Sequence, residues 1–211
     1  MPSRKTRSSI AAGVFCLGVL GVMLVGHAWP LWSGETVYLR VVPVDPRDLF
    51  RGDYVVLRYA ANSLVRQTSG QTPDANTPSE TVVAFEGDWP RARSYRTSRM
   101  VYVTLEPRPG ADGVPVEHVA VKISTRKPSS GTFLRGRAVW HAWTPPSAAD
   151  RDTTPQRVTV EYGIDAFYVE QGRGRQIERD IRAGKPVFAE VAVASSGRAR
   201  LRTLIIGEGR R

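Results

Sequence analysis

The sequence predicts a mainly β chain: a β-rich, barrel-like or sandwich ectodomain with one short helix, preceded by a single N-terminal transmembrane helix. Three observations predict this class. Residues 10–32 carry no Asp, Glu, Lys or Arg. Beyond them, short runs rich in Val, Tyr, Phe and Thr recur between Pro, Gly, Asp and Ser clusters, the pattern of strands and turns. One stretch, 175–183, places apolar residues at helical spacing. A length of 211 residues allows one domain plus an appendage. A hydrophobic fraction of 41% with 9% aromatics excludes a disordered chain.

The anchor is the first element. The 22 residues from Ile10 to Leu31 span about 33 Å as a helix, enough to cross a bilayer core. Trp29 and Trp32 fall at the far end, where indole rings favour the interface. Arg4, Lys5 and Arg7 precede the run, and the positive-inside rule keeps such a flank cytoplasmic. The expected organisation is a cytoplasmic flank over 1–9, an inner-membrane anchor over 10–32 and an extracytoplasmic domain over 33–211. A cleaved signal peptide shares the basic start and has Gly26 and Ala28 before Trp29. Its apolar region is usually about 7–15 residues long, so the longer run here favours an anchor that stays. Cys16, the single cysteine, follows the bulky Phe15, unlike a lipidation site, and reads as a small apolar residue of the helix. With one Cys no internal disulfide can form.

Charge constrains the partners. Lys and Arg number 30 against 20 Asp and Glu, a net charge of +10, and 26 of the basic residues are Arg. No run of five or more like charges occurs, so no nucleic-acid tail is expected. A basic domain tethered at a membrane is drawn to anionic lipid or envelope polymers. A codon-composition origin of the Arg enrichment accounts for it equally well.

Strands are expected over 36–42, 54–59, 81–86, 100–106, 116–124, 132–142, 157–163, 187–194 and 199–206. Val37, Leu39 and Val41 alternate with Tyr38 and Arg40, and Val119, Val121 and Ile123 alternate with Ala120 and Lys122. Both runs read as strands with one wet face. The polar, Pro-containing stretches 62–79 and 144–155 read as exposed loops within one domain. In the helix over 175–183, Ile177 and Ile181 share a face, Glu178 and Arg182 form an i,i+4 pair, and Gly184 stops it. Ser195, Ser196 and Gly197 then join the last two strands as a hairpin turn.

Residues 37–55 echo 121–139 at a constant offset of 84: Leu49–Gly52 (LFRG) matches Phe133–Gly136 (FLRG), and Val55 matches Val139. A glycine at that place suits a positive φ or close backbone approach at a strand entrance. Duplication and chance coincidence both account for so short a match.

The segment Gly52-Asp53-Tyr54-Val55-Val56-Leu57-Arg58-Tyr59 fills every fixed position of G-D-Y-x-x-L-x-Y. A second block reads Tyr162-Gly163-Ile164, then Phe167-Tyr168-Val169-Glu170, then Gly172-Arg173-Gly174-Arg175. The chain resembles the GDYXXLXY family of bacterial membrane-anchored proteins. The second block departs from the family's pattern in lacking the Pro before Glu170 and in having Gln171 before Gly172. Glu178 fits the terminal acidic position. The resemblance implies an envelope protein with one N-terminal span and an extracytoplasmic domain, associated with a multi-spanning membrane protein. It implies no catalytic activity.

Candidate sites follow from these residues. In the motif, Gly52, Asp53, Tyr54, Leu57 and Tyr59 are the fixed positions. Asp53 reads either as a ligand contact or, more readily, as the cap of a turn, since Asp after Gly accepts nearby backbone N–H bonds. Val55, Leu57 and Tyr59 share one strand face and form core; Tyr54, Val56 and Arg58 share the other, which can face a ligand. Arg51 is, with Arg58, a candidate ligand or anion contact; with Asp45, Arg47 and Asp48 it lies in the mixed-charge loop before the motif, where internal salt bridges are the alternative. Gly172, Arg173, Gly174 and Arg175 precede a helix start. Exposed N–H groups and two guanidinium groups there suit an anion, and a plain flexible turn is the alternative. His118 and His141 lie on expected strands without carboxylate or Cys at ligand spacing, so neither metal nor cofactor is expected. The expected function is a non-enzymatic binding or accessory component of an envelope membrane complex. The alternative is an envelope hydrolase of the signal-peptidase-like Ser–Lys type, whose RGD-V strand is similar to Arg51–Val55. It would use Ser33 and Lys122, and needs the lysine desolvated beside the hydroxyl.

Overall fold

In the computed structural model, residues 4–42, 54–67, 81–89, 97–110, 116–140, 157–168, 176–177, 179–180 and 183–207 are described. A helix, α1 (Arg4–Ser33), leads directly into twelve strands. Nine large apolar side chains between Val14 and Val25 on α1 are 43–75% exposed. The side chains described in α1 are those of 13–26 and Ser33, and the fourteen over 13–26 make about 21 Å of helix. Among the described residues no helix is long and apolar enough to cross a membrane.

The strands are β1 (Glu35–Val42), β2 (Tyr54–Val56), β3 (Arg58–Tyr59), β4 (Ser63–Arg66), β5 (Thr81–Glu86), β6 (Thr97–Pro109), β7 (Val116–Ser124), β8 (Phe133–Trp140), β9 (Arg157–Glu161), β10 (Ala166–Tyr168), β11 (Val187–Val193) and β12 (Ala199–Ile206). Six of them close a barrel in the order β4-β5-β7-β6-β8-β9, with β9 returning antiparallel to β4. Closure leaves no free edge among these six. A four-stranded sheet, β12-β11-β1-β3, lies against it, and β10-β2 form a separate ribbon. Both large sheets share one core. The barrel supplies Leu64, Val83, Val101, Val103, Ile123, Leu134 and Val160, and the sheet supplies Val37, Leu39, Val187 and Val191. Phe85 stacks on Trp89 at 5.1 Å, and Trp89 meets Trp140 edge-on at 5.5 Å.

Local chemistry accounts for the irregularities. Pro107 and Pro109 sit where β6 runs past β8 and pairs with β7 alone, so their missing N–H groups are not needed on the outer side. The β6–β7 register slips between Thr104 and Leu105, so that Lys122 faces Thr104 while Ala120 faces Leu105. The slip reverses side-chain parity. The expected one-sided alternation of β7 is corrected accordingly: Ile123 and Ala120 are buried, while Val119 and Val121 are only partly so.

Three further expectations change. The 54–59 strand is two strands because its pairing partner changes: β2 runs along β10, with Leu57 N donating to Asp165 O at 2.7 Å in the same register, and β3 pairs with β1. The start of the expected 62–79 loop is the barrel strand β4, with Leu64 fully buried; 68–80 lie outside the described residues. The short strand β10 was unforeseen. The segments of the internal echo are placed differently: β1 pairs with β11 and β3, β7 with β5 and β6. The expected 144–155 loop lies outside the described residues. Of the expected helix, 176–177 and 179–180 are helical and Ile177 is buried. Gly184 has φ +76°, in keeping with a C-terminal stop.

Two contacts fix the sheet to the barrel. At the β11–β12 turn, Gly197 (φ +79°) accepts a bond from Arg135 N at 2.7 Å, and a Cβ there would stand 2.7 Å from the Phe133 ring. Along β1, Tyr38 N donates to His118 Nδ1 at 3.1 Å, and Arg40 grips Glu117 through two bonds of 2.9 and 3.0 Å. The Arg40 guanidinium also covers the Phe188 ring at 5.0 Å.

Candidate functional site

The two sequence blocks that carry the family resemblance meet in space. Strand β2 pairs antiparallel with β10, setting Tyr54 opposite Tyr168, Val55 opposite Phe167 and Val56 opposite Ala166. Leu57 and Tyr59 follow with 1% exposure each, whereas Arg58 between them points to solvent. This is the face division expected of alternating strand residues.

A short 3₁₀ turn, Ala60–Asn62, carries the chain from β3 into β4. Around it four hydrogen bonds cross to 160–165, the end of β9 and the start of the second block. Tyr59 Oη donates to Ile164 O at 2.6 Å, and Tyr162 Oη donates to Ala61 O at 2.6 Å. Asn62 Nδ2 donates to Val160 O at 2.6 Å, and Leu57 N donates to Asp165 O at 2.7 Å. Asn62 Oδ1 also accepts from Tyr59 N at 2.6 Å, closing the turn. Buried polar groups must be paired to be tolerated, and this seam pairs them reciprocally.

The electrostatics follow from burial. Desolvation, and secondly the Asp165 carboxylate, push both tyrosine hydroxyls far up, so each stays protonated and donates. Burial also raises the Asp165 carboxyl, helped by Glu161 and opposed by the backbone N–H groups of Gly163 and Asp165 and by Asn62. Chemically, the seam is a staple with a half-buried acid at its margin. Asn62 and Asp165 were not singled out from the sequence. Their only sequence signal is position, Asn62 three residues after the motif and Asp165 directly after Tyr162-Gly163-Ile164.

Of the other expected site residues, those that are described lie outside this seam. Arg51, Gly52, Asp53, Gly172, Arg173, Gly174 and Arg175 lie outside the described residues, as does His141. Beyond Arg175, Asp180 receives Lys185 Nζ at 2.8 Å and Gln176 Nε2 at 3.3 Å, and the Lys185 bond holds its carboxyl below the usual range. His118 accepts the Tyr38 N–H, and burial lowers its pKa against the opposing pull of Glu35. Lys122 donates to Glu86 Oε1 at 3.3 Å on the barrel surface. Among the described residues no three His, Cys, Asp or Glu side chains gather as metal ligands.

No curated protein and no solved structure matches the chain. A family model described as GDYXXLXY protein matches residues 16–204. Both halves of the Tyr59–Tyr162 staple fall inside that match, and the chain belongs to the GDYXXLXY family.

Proposed function

We propose that the chain is a membrane-anchored, extracytoplasmic accessory or binding module of an envelope complex, its partner a multi-spanning membrane protein. One observation carries the non-enzymatic part. The buried tyrosine of the motif, Tyr59, and that of the second block, Tyr162, each donate to a backbone carbonyl inside the fold. A motif used in this way builds a scaffold for recognition, and recognition then belongs to the surface around it.

The anchor is supported by the uncharged run over 10–32 and the basic residues Arg4, Lys5 and Arg7 before it. It is further supported by the exposed apolar side chains between Val14 and Val25, since a helix apolar on every face is at home in lipid. The basic flank favours the orientation in which the β domain lies outside the cytoplasm. The Ser–Lys hydrolase is set aside because its amine must be desolvated. The Lys122 side chain is 38% exposed and held by Glu86.

The test is crosslinking in native membranes through a photoreactive residue at Arg58, followed by identification of the bound protein. The proposal expects one multi-spanning membrane protein as the main product. Cleavage of a peptide substrate by the purified full chain, abolished in a Lys122→Ala variant, would overturn it.

A further inference from the structure

We infer that the end of the β domain nearest α1 carries a contact surface for anionic phospholipid headgroups, formed by Lys127, Arg135 and Arg198. The inference rests on the membrane-anchor reading and deepens it.

The placement follows from the register. Helix α1 ends at Ser33, and Glu35 opens β1 opposite Val193, which is itself opposite Ala199. The β11–β12 turn therefore lies at the same end of the sheet as the exit of α1, and α1 adjoins both strands. The barrel reaches this end through β8: Thr132 Oγ1 donates to Glu35 at 2.8 and 2.9 Å, and Arg135 N donates to Gly197 O.

Three cations gather there. Arg198 follows Gly197 in the turn, Arg135 is bonded to that turn by its backbone, and Lys127 Nζ lies 5.7 Å over the Phe133 ring that Gly197 packs against. All three are exposed. Among the described residues none of the three is in a salt bridge. Among the described residues the acids at this end are already engaged: Glu35 accepts from Thr132, Asp88 lies 3.8 Å from Arg126, and Glu86 accepts from Lys122.

Charge and place together select the occupant. The first surface that cations beside the exit of a membrane helix meet is the phosphate layer. A basic residue near an anionic leaflet gains about a five-fold preference per charge at low salt, and the effect falls off within a Debye length. An acidic protein partner would need no such proximity to α1.

Hydrogen exchange of the full chain, reconstituted in vesicles of phosphatidylcholine alone or with phosphatidylglycerol added, tests this. In phosphatidylglycerol the amides of 126–131 and 195–198 should exchange at least about five-fold more slowly, and high salt should erase the difference. The triple variant Lys127→Gln, Arg135→Gln, Arg198→Gln should show no lipid dependence while melting as the wild type does. Equal exchange of the wild type in both vesicles overturns the inference, as does a lipid dependence that survives in the triple variant. Flotation with phosphatidylcholine vesicles reads the anchor separately. A chain that floats yet shows no headgroup dependence loses the surface and keeps the anchor; one that fails to float loses both.

Discussion

Tyr59 and Tyr162 each lend a hydroxyl to the other's segment: Tyr59 donates to Ile164 O and Tyr162 to Ala61 O, both at 2.6 Å. The residues lie 103 apart in the chain, yet each bonds within two residues of the other. The family motif closes on the second sequence block of the same chain, and the barrel strands β4 and β9 are paired beside the junction. Burial makes these bonds costly to lose, since a hydroxyl removed here leaves a carbonyl without its donor.

Close backbone approach makes two glycines intolerant. A Cβ on Gly136 would stand 2.5 Å from Val160 Cγ1 and 2.9 Å from Glu161 O and the Tyr162 ring. Gly136→Ala should destabilise by about 1–3 kcal/mol through overpacking. Gly197→Ala adds left-handed strain to a clash with Phe133 and should cost at least as much. Gly163 has φ +74° with open space around it, so Gly163→Ala should cost only about 1–2 kcal/mol of backbone strain. Chemical denaturation of the three variants in one detergent gives the ranking.

His118 should make stability fall on the acid side. Its pKa is lowered in the folded protein because Nδ1 is partly buried and accepts the Tyr38 N–H. The unfolded chain then binds the proton more readily, so this contribution is complete above the ordinary value of 6.5 and is lost as pH falls through and below it. Melting temperature followed from pH 7 to about 5 should drop in the wild type. His118→Gln, which keeps an acceptor for Tyr38, should flatten that part of the curve.

Asp165 has the opposite sign. Its carboxyl is raised by burial, so the folded protein binds the proton more readily than the unfolded chain. Its contribution is complete below the ordinary value of 3.8 and is lost as pH rises through the higher folded value. Asp165→Asn keeps an acceptor for the neighbouring N–H groups and removes the charge. The variant should be the more stable protein at neutral pH, and the difference should shrink on acidification.

Strands with a clean two-residue period were legible because one face is core. In β1, Val37, Leu39 and Val41 are the buried set that the alternation indicates. The hairpin and the helix stop were legible from Gly197 and Gly184, both at positive φ. Strand β4 was not, since Ser63–Arg66 is four residues leading into a polar run, and only barrel closure buries Leu64. The parity change in β7 depends on a register slip against β6, which no local pattern encodes. At the seam, the apolar role of Leu57 and Tyr59 followed from alternation. The roles of Asn62 and Asp165 depend on partners that tertiary structure alone supplies, Val160 for one and Leu57 for the other.

The motif builds the fold through the Tyr59 and Tyr162 hydroxyls. The most direct measurement is the stability of Tyr59→Phe and Tyr162→Phe in the full-length chain, by chemical and thermal denaturation, alongside recovery of the crosslinked membrane partner. Each substitution should cost about 1–3 kcal/mol, a fall of several degrees in Tm for a domain of this size, while molecules that remain folded still capture the partner. Variants that melt with the wild type yet no longer capture the partner would place the two hydroxyls in a recognition site and contradict the account.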